Sequence, residues 1–292
     1  MKILSKINDF IKKDYESSVL ACGFMINPYR FAVAGRTAFI AAGFTGASNL
    51  LSTEEFNGSV WSAGGNVGTA RRGLMGGGNT LDAIIAAGHV SPSNSNITEE
   101  YNGTSWSAGG NVATAKSEVT GGGTSTDALY CGKDTSTEEY NGTSWSAGGT
   151  AGTTRPVAAG GGNSTDGFMA GGRTTISTSE EYNGTSWSAG GSLNTARQDL
   201  PGGHQGFSGN ALATGGNGPS ATVELYNGTS WSFTGSLGTA MNQAQGGYDG
   251  TNAVNNGGGT YNTTTEVFNG STWSVSGSNS TARAVGVGGA NP

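Results

Sequence analysis

From about residue 30 onward, short apolar runs alternate with breaks rich in Gly, Asn and Ser. Four such runs follow one another between residues 72 and 109: RGLMGGG (72–78), AIIAAG (83–88), TEEYNG (98–103) and TSWSAG (104–109). Each is too short for a stable helix and is bounded by turn-forming residues, so each reads as a β-strand. The quartet then recurs: tryptophans at 61, 106, 145, 187, 231 and 273 mark six units spaced 39 to 45 residues apart. About 40–50 residues carrying four short strands is the size of one propeller blade. The pattern predicts an all-β fold, a six-bladed β-propeller of four-stranded blades over residues 29–292.

Residues 1–28 keep a different rhythm. Ile3, Leu4, Ile7, Phe10 and Ile11 fall on one stripe at helical spacing, with Lys2, Lys6, Lys12 and Lys13 off it. A lone amphipathic helix of this length is marginal in water, so the stripe needs a surface to bury against. The chain's own propeller, another subunit and a membrane surface are all open to it. Another subunit is the expected one, which makes the five apolar residues an assembly contact of a short helical arm.

Within each unit, Asn-Gly between two β-runs is a strong hairpin signal. Asn102-Gly103 is expected to form a two-residue turn that pairs Tyr101 with Thr104, Glu100 with Ser105 and Glu99 with Trp106. Glu99, Tyr101, Thr104 and Trp106 then share one face. A Glu stands two places before the aromatic in every unit: Glu54, Glu99, Glu138, Glu180, Glu224 and Glu266. The next position drifts to Leu225 and Val267, which marks the first Glu as the constrained one. Ten residues after each Trp come Arg71, Lys116, Arg155, Arg197, Met241 and Arg283. A carboxylate on the tryptophan face, beside a cation leading into the next blade, predicts a repeated ion pair or backbone-capping network between blades. One role repeated in every blade is what packing requires, not catalysis.

A propeller must also close, because an open ring leaves bare strand edges. TARAVGVGGA (281–290) matches TARRGLMGGG (69–78) but has no strands after it. It is expected to supply the innermost strand of the first blade, with RFAVAGR (30–36) as the alternative.

Composition narrows the function. The 54 glycines and 34% hydrophobic residues argue against a helix-rich core, and with only 12% charged residues and tryptophans in register the chain reads as folded. A formal net charge of −6 argues against a nucleic-acid groove. Cys22 and Cys131 are too few for a disulfide framework. No stretch approaches the roughly 18 apolar residues of a membrane span. VLACGF (19–24) looks superficially like a lipoprotein cleavage site, but Lys12, Lys13, Asp14 and Glu16 interrupt the apolar run such a leader needs, so no signal peptide is expected.

The pattern resembles the kelch repeat. It is closer still to the kelch-like, galactose-oxidase-central-domain-like repeats reading TAR…GG…TEEYNG-TSW in structural proteins of tailed phages, marine ones especially. The resemblance covers about residues 30–292 and rests on three marks. They are the doublets Gly171-Gly172 and Gly215-Gly216 (Ala87-Gly88 and Cys131-Gly132 elsewhere), the aromatics Phe56, Tyr101, Tyr140, Tyr182, Tyr226 and Phe268, and the six tryptophans. The spacing from aromatic to Trp is shorter than in ordinary kelch repeats. The resemblance implies a virion component made in the host cytoplasm: a tail, fibre or capsid-decorating protein contacting other virion proteins through its arm, with further copies of itself, in a homo-oligomer, as an alternative partner.

Candidate chemistry is sparse. Every Asn-Gly turn also reads as a glycosylation sequon, a match the turn itself already explains. GTSW resembles the sialidase Asp-box, but Tyr101 stands where the Asp belongs. His89 and His204 lie in different units without ligands at metal spacing, so neither a metal nor a cofactor is expected. Asp82, Asp127 and Asp166 read as turn formers, with a weak calcium site as the alternative. No catalytic residue is expected. Recognition falls instead to the long loops 44–53 and 89–98, which share a face with the inter-blade connections. Phe44, Asn49, Leu50, His89, Asn94 and Asn96 are the binding candidates, the partner being another protein or a host-surface glycan or receptor.

Overall fold

The computed structural model describes residues 37–200, 203, 206–259 and 261–290. The N-terminal arm with Ile3, Leu4, Ile7, Phe10 and Ile11, the segment 30–36 and His204 lie outside them. Six antiparallel four-stranded sheets form a six-bladed β-propeller. From the axis outward, blade 2 runs Met75–Gly78, Ala83–Ala86, Thr98–Tyr101 and Trp106–Ala108. Blades 3 to 6 begin at Thr120–Gly123, Ala159–Gly162, Gly206–Phe207 and Gln245–Tyr248. Blade 1 takes its innermost strand from the far end of the sequence: Val287–Ala290 pairs with Ala38–Ala41, followed outward by Thr53–Phe56 and Trp61–Ala63.

The second strands, such as Ala38–Ala41 (AFIA) and Ala83–Ala86 (AIIA), are buried along their whole length, which is why they read as unbroken apolar runs. Their side chains fill the layers between blades; one layer joins Phe39, Ile85, Tyr101 and Val287, with Trp106 packed against it. The innermost strands are glycine-rich because their backbones touch. A Cβ on Gly77 would lie 2.5 Å from the Gly123 nitrogen, and one on Gly289 would collide with the Gly78 carbonyl.

The hairpins joining the first strand to the second, and the third to the fourth, lie on one face of the disc, here the hairpin face. The connections from second to third strand, and from blade to blade, lie on the other, the loop face. On the loop face a near-continuous ring of backbone hydrogen bonds circles the axis. Gly73 N–H donates to Val285 O (2.8 Å), Glu118 to Gly73 (2.7 Å), Val157 to Glu118 (3.3 Å), Leu200 to Val157 (3.2 Å), Gln243 to Asp199 (2.8 Å) and Val285 to Gln243 (3.0 Å). Glu118, Val157, Asp199, Gln243 and Val285 all hold positive φ to make these bonds. Backbone in that region costs about 1–3 kcal/mol per residue unless its surroundings impose it, and here the bonded ring does.

The Asn-Gly turn differs from the two-residue hairpin expected from the sequence. Tyr101 pairs with Trp106, Glu100 with Ser107 and Glu99 with Ala108, so four residues form the loop. Asn102 does not supply a positive φ; its Oδ1 accepts the N–H groups of Thr104 (3.0 Å) and Ser105 (2.9 Å), and only Gly103 is left-handed. The asparagine acts as a side-chain acceptor bracing a wider turn. Parity survives the two-residue slide. Glu99, Tyr101 and Trp106 still share a face, and the Tyr101 and Trp106 rings lie 4.9 Å apart.

Two polar networks bind the blades. Each first Glu caps the backbone of an inter-blade connection: Glu99 accepts from Gly68 N, Glu138 from Ala113, Glu180 from Gly152, Glu224 from Asn194, Glu266 from Gly238 and Glu54 from Ser280. Arg71, Arg155, Arg197 and Arg283 meet Glu99, Glu180, Glu224 and Glu54 at 2.6–3.2 Å. Lys116 turns instead to Asp134 at 2.9 Å. Met241 has no charge to offer Glu266, and Asn256 Nδ2 donates nearby to Thr264 O and Thr265 Oγ1. The second network was not read from the sequence. The hydroxyls of Tyr101, Tyr140, Tyr182 and Tyr226 donate to Glu55, Glu100, Glu139 and Glu181 of the preceding blade. Trp61, Trp106, Trp145 and Trp187 Nε1 donate to Thr265, Thr53, Thr98 and Thr137.

Burial makes two behaviours measurable. Cys131 is 2% exposed and burial pushes its thiol pKa up, so a thiol-labelling reagent should leave it unmodified until the protein unfolds. Burial is also the leading cause of raised phenol pKa values at Tyr130, Tyr140, Tyr182, Tyr226 and Tyr248, the last reaching about 12. The folded state holds these protons more tightly than the unfolded chain, whose phenols titrate near 10. Their stabilisation is complete below pH about 10 and is lost as pH rises through the raised values. Burial lowers Arg71 to about 10 and also lowers Arg155, Arg197 and Arg283; these work in the opposite sense, four groups against the five phenols and the Cys131 thiol. The tyrosinate absorbance of these five phenols should therefore rise together with loss of the β-sheet circular dichroism, well above pH 10. Ionisation of these five near pH 10 with the fold intact would contradict this.

Candidate binding site on the loop face

Arg71 and Arg72 are adjacent and do opposite things. Arg71 is fully buried beside Glu99, whereas Arg72 is half-buried on the loop face, its backbone bridged to His89. The Arg72 guanidinium carbon lies 4.4 Å from the centre of the Phe44 ring, and Nη1 donates to Asn49 Oδ1 at 2.9 Å. Asn49 is itself oriented, because its Nδ2 donates to His89 O at 2.9 Å and so turns its oxygen toward Arg72. Phe44 meets Tyr261 edge-on, ring centres 6.3 Å apart, and Tyr261 is 39% exposed. Asn94 is exposed and lies 3.3 Å from His89 Nδ1 across the small ribbon formed by His89–Val90 and Ser93–Asn94.

Four of the sequence candidates, Phe44, Asn49, His89 and Asn94, are thus brought into one surface. Two are not. Leu50 is half-buried with its N–H on Gly43 O, and Asn96 Nδ2 reaches Val112 O at 3.4 Å. Arg72 and Tyr261 were missed. A signal for Arg72 existed: the equivalent positions in the other units hold Ser117, Pro156, Gln198, Asn242 and Ala284, so a second arginine is a departure from the repeat.

The charges around Arg72 matter. Outside the positions ten residues after each Trp, the cations among the described residues are Arg72, Lys133 and Arg173, all on the loop face. Lys133 and Arg173 both pair with Glu118, at 2.7 and 2.5 Å. Arg72 has no carboxylate within salt-bridge distance among the described residues, and its Nε and Nη2 have no protein acceptor there.

The hairpin face carries a cavity of about 410 Å³ around the axis, bordered by Asn79, Thr124, Asn163, Phe207 and Tyr248. Asp82, Asp127 and Asp166 hold its rim together. Each Oδ1 accepts a backbone N–H from the next blade, at Ser125, Ser164 and Ser208, 2.9–3.0 Å away. Among the described residues no three His, Cys, Asp or Glu side chains converge as a metal site requires.

Fold and surface together define a six-bladed β-propeller with a polar, aromatic-bearing loop face. Set against known proteins, the chain matches no family model and no curated protein.

Proposed function

We propose that this chain is a non-enzymatic interaction propeller, a virion component of a tailed phage that is anchored through residues 1–28 and presents its loop face to a partner. One observation supports the non-enzymatic reading: most of the carboxylates among the described residues are engaged in holding blades together. The six first-position glutamates cap backbone, Glu55, Glu100, Glu139 and Glu181 accept tyrosine hydroxyls, and Asp82, Asp127 and Asp166 tie neighbouring hairpins. These are thirteen of the seventeen carboxylates among the described residues, and a role repeated from blade to blade is what packing requires. The virion placement is supported by the resemblance to kelch-like repeats of phage structural proteins. Antibody to the propeller should label purified virions in electron micrographs; its presence only in the host cytoplasm would overturn the placement.

A second reading, carbohydrate binding, is favoured by the cluster of Phe44, Tyr261, Asn49, His89 and Asn94. Aromatic rings for stacking, set beside amides for hydroxyls, are what sugar recognition needs, and an adsorption protein could be both virion component and lectin. A glycan array probed with the full chain tests it, and binding to no glycan would count against it.

A further inference from the structure

We propose that Arg72, Phe44, Asn49, His89 and Tyr261 form a site for an acidic saccharide, a sugar ring bearing a single carboxylate. The inference rests on the carbohydrate reading above and adds the charge of the ligand and the residue that selects it.

Arg72 carries the argument. Its guanidinium is fixed from one side by the Phe44 ring and along one edge by Asn49, both uncharged. The arginines that serve structure in this fold end on a carboxylate and on several carbonyls, as the buried Arg155, Arg197 and Arg283 do. Arg72 instead keeps Nε and Nη2 without a protein acceptor among the described residues. Those two N–H groups lie on one edge of the guanidinium, the fork that matches the two oxygens of a carboxylate. Asn49 supplies orientation without neutralising the charge, because its own amide is locked onto His89 O.

The surroundings specify what the carboxylate is attached to. Tyr261 is 39% exposed and is held edge-on against Phe44, so it adds aromatic surface for a partly apolar molecule. Asn94 and the His89 ring stand in the neighbouring loop as hydrogen-bonding groups for hydroxyls. The charge balance limits the ligand to one anion. Lys133 and Arg173 share Glu118, and the chain carries a net charge of −6, so on this surface a polyanion such as a nucleic acid meets Arg72 as the one cation among the described residues without a carboxylate partner, and general repulsion. One arginine suits one carboxylate.

The test uses the full chain and measures binding by ligand-observed NMR and titration calorimetry, with glucuronate and N-acetylneuraminate as acidic sugars. Glucose and galactose serve as neutral ones, and acetate as a carboxylate without a ring. The expected result is binding of at least one acidic sugar, with neutral sugars and acetate weaker by about tenfold or more. Arg72→Gln should abolish the preference for the acidic sugar. Tyr261→Ala, at an exposed position that does not threaten folding, should weaken sugars while leaving that preference. Raised salt should weaken only the acidic ligand, a readout that needs no variant. Neutral sugars binding as well as acidic ones, with Arg72→Gln silent, would overturn the inference and leave the carbohydrate reading standing. Acetate binding as tightly as the acidic sugars would overturn the sugar part of the site. No binding by any sugar would overturn both.

Discussion

Arg283→Met should lower the folding free energy by about 3–5 kcal/mol, the range seen when one partner of a buried ion pair is removed. Arg283 is fully buried and ties blade 1 together from the far end of the sequence. It donates to Ala42 O (3.0 Å), Ser52 O (2.9 Å), Ser52 Oγ (3.0 Å) and Glu54 Oε1 (2.6 Å). Removing it leaves Glu54 buried with only Ser280 N–H and Asn279 Nδ2 as donors. Burial pulls the guanidinium pKa down while Glu54 pushes it back up. Much of the loss should return in the double variant Arg283→Met/Glu54→Gln, because the cost lies in the orphaned charge. Position 241 shows that the fold tolerates a neutral version, since Met241 already stands there and Asn256 supplies donors to the nearby backbone. Arg71→Met is the internal comparison. Arg71 lies 3.2 Å from Glu99, but its guanidinium nitrogens lack hydrogen-bond partners, and burial lowers its pKa to about 10. It should cost less than Arg283→Met by at least about 1 kcal/mol, the worth of an ordinary hydrogen bond. Urea unfolding of the four proteins checks this, and equal losses at the two arginines would refute it.

The repeat made the architecture legible. Six tryptophans in register and four short runs per unit specify blade number and strand count, because one supersecondary unit cannot bury its faces alone and must stack on copies of itself. The hairpin register was less legible. Asn-Gly marks a turn but does not say whether Asn works through its φ or through its side chain, and here it works through the side chain. The tyrosine network was written in the sequence as a covariation. Where the second Glu becomes Leu225 or Val267, the aromatic of the next blade becomes Phe268 or Phe56, so carboxylate and hydroxyl are lost together. The same holds for the threonines that accept from tryptophan. Val223 precedes the blade of Trp273 and Ser179 that of Trp231, and these two indole N–H groups are the ones left without partners. The loop-face site was half legible. Loop length pointed to Phe44, Asn49, His89 and Asn94, but Tyr261 comes from blade 6 and reaches Phe44 only because the ring closes.

Closure itself sets the largest expected effect. Ending the chain after Gly286 removes Val287–Ala290, and the protein should then lose its single cooperative unfolding transition and self-associate. Three losses coincide. Ala38–Ala41 becomes an exposed, wholly apolar edge strand, the kind of edge that pairs with another chain. Val287, fully buried, leaves a void beside Phe39, Ile85 and Tyr101, with a cost of about 1 kcal/mol or more for each core methylene lost. The glycine-lined contact between Gly289 and the Gly78 carbonyl, which brings blades 1 and 2 together at the axis, disappears. A gentler variant separates closure from chain length: Gly289→Val keeps every residue but places a Cβ where the Gly78 carbonyl sits. It should destabilise the chain without exposing the edge, lowering the melting temperature while the protein stays monomeric. Light scattering after gel filtration, with thermal melts, distinguishes the two. If the truncated chain stays monomeric and melts cooperatively near the full-length temperature, the last strand is dispensable. The loop-face ring of backbone bonds and the buried arginines would then be what keeps the propeller shut.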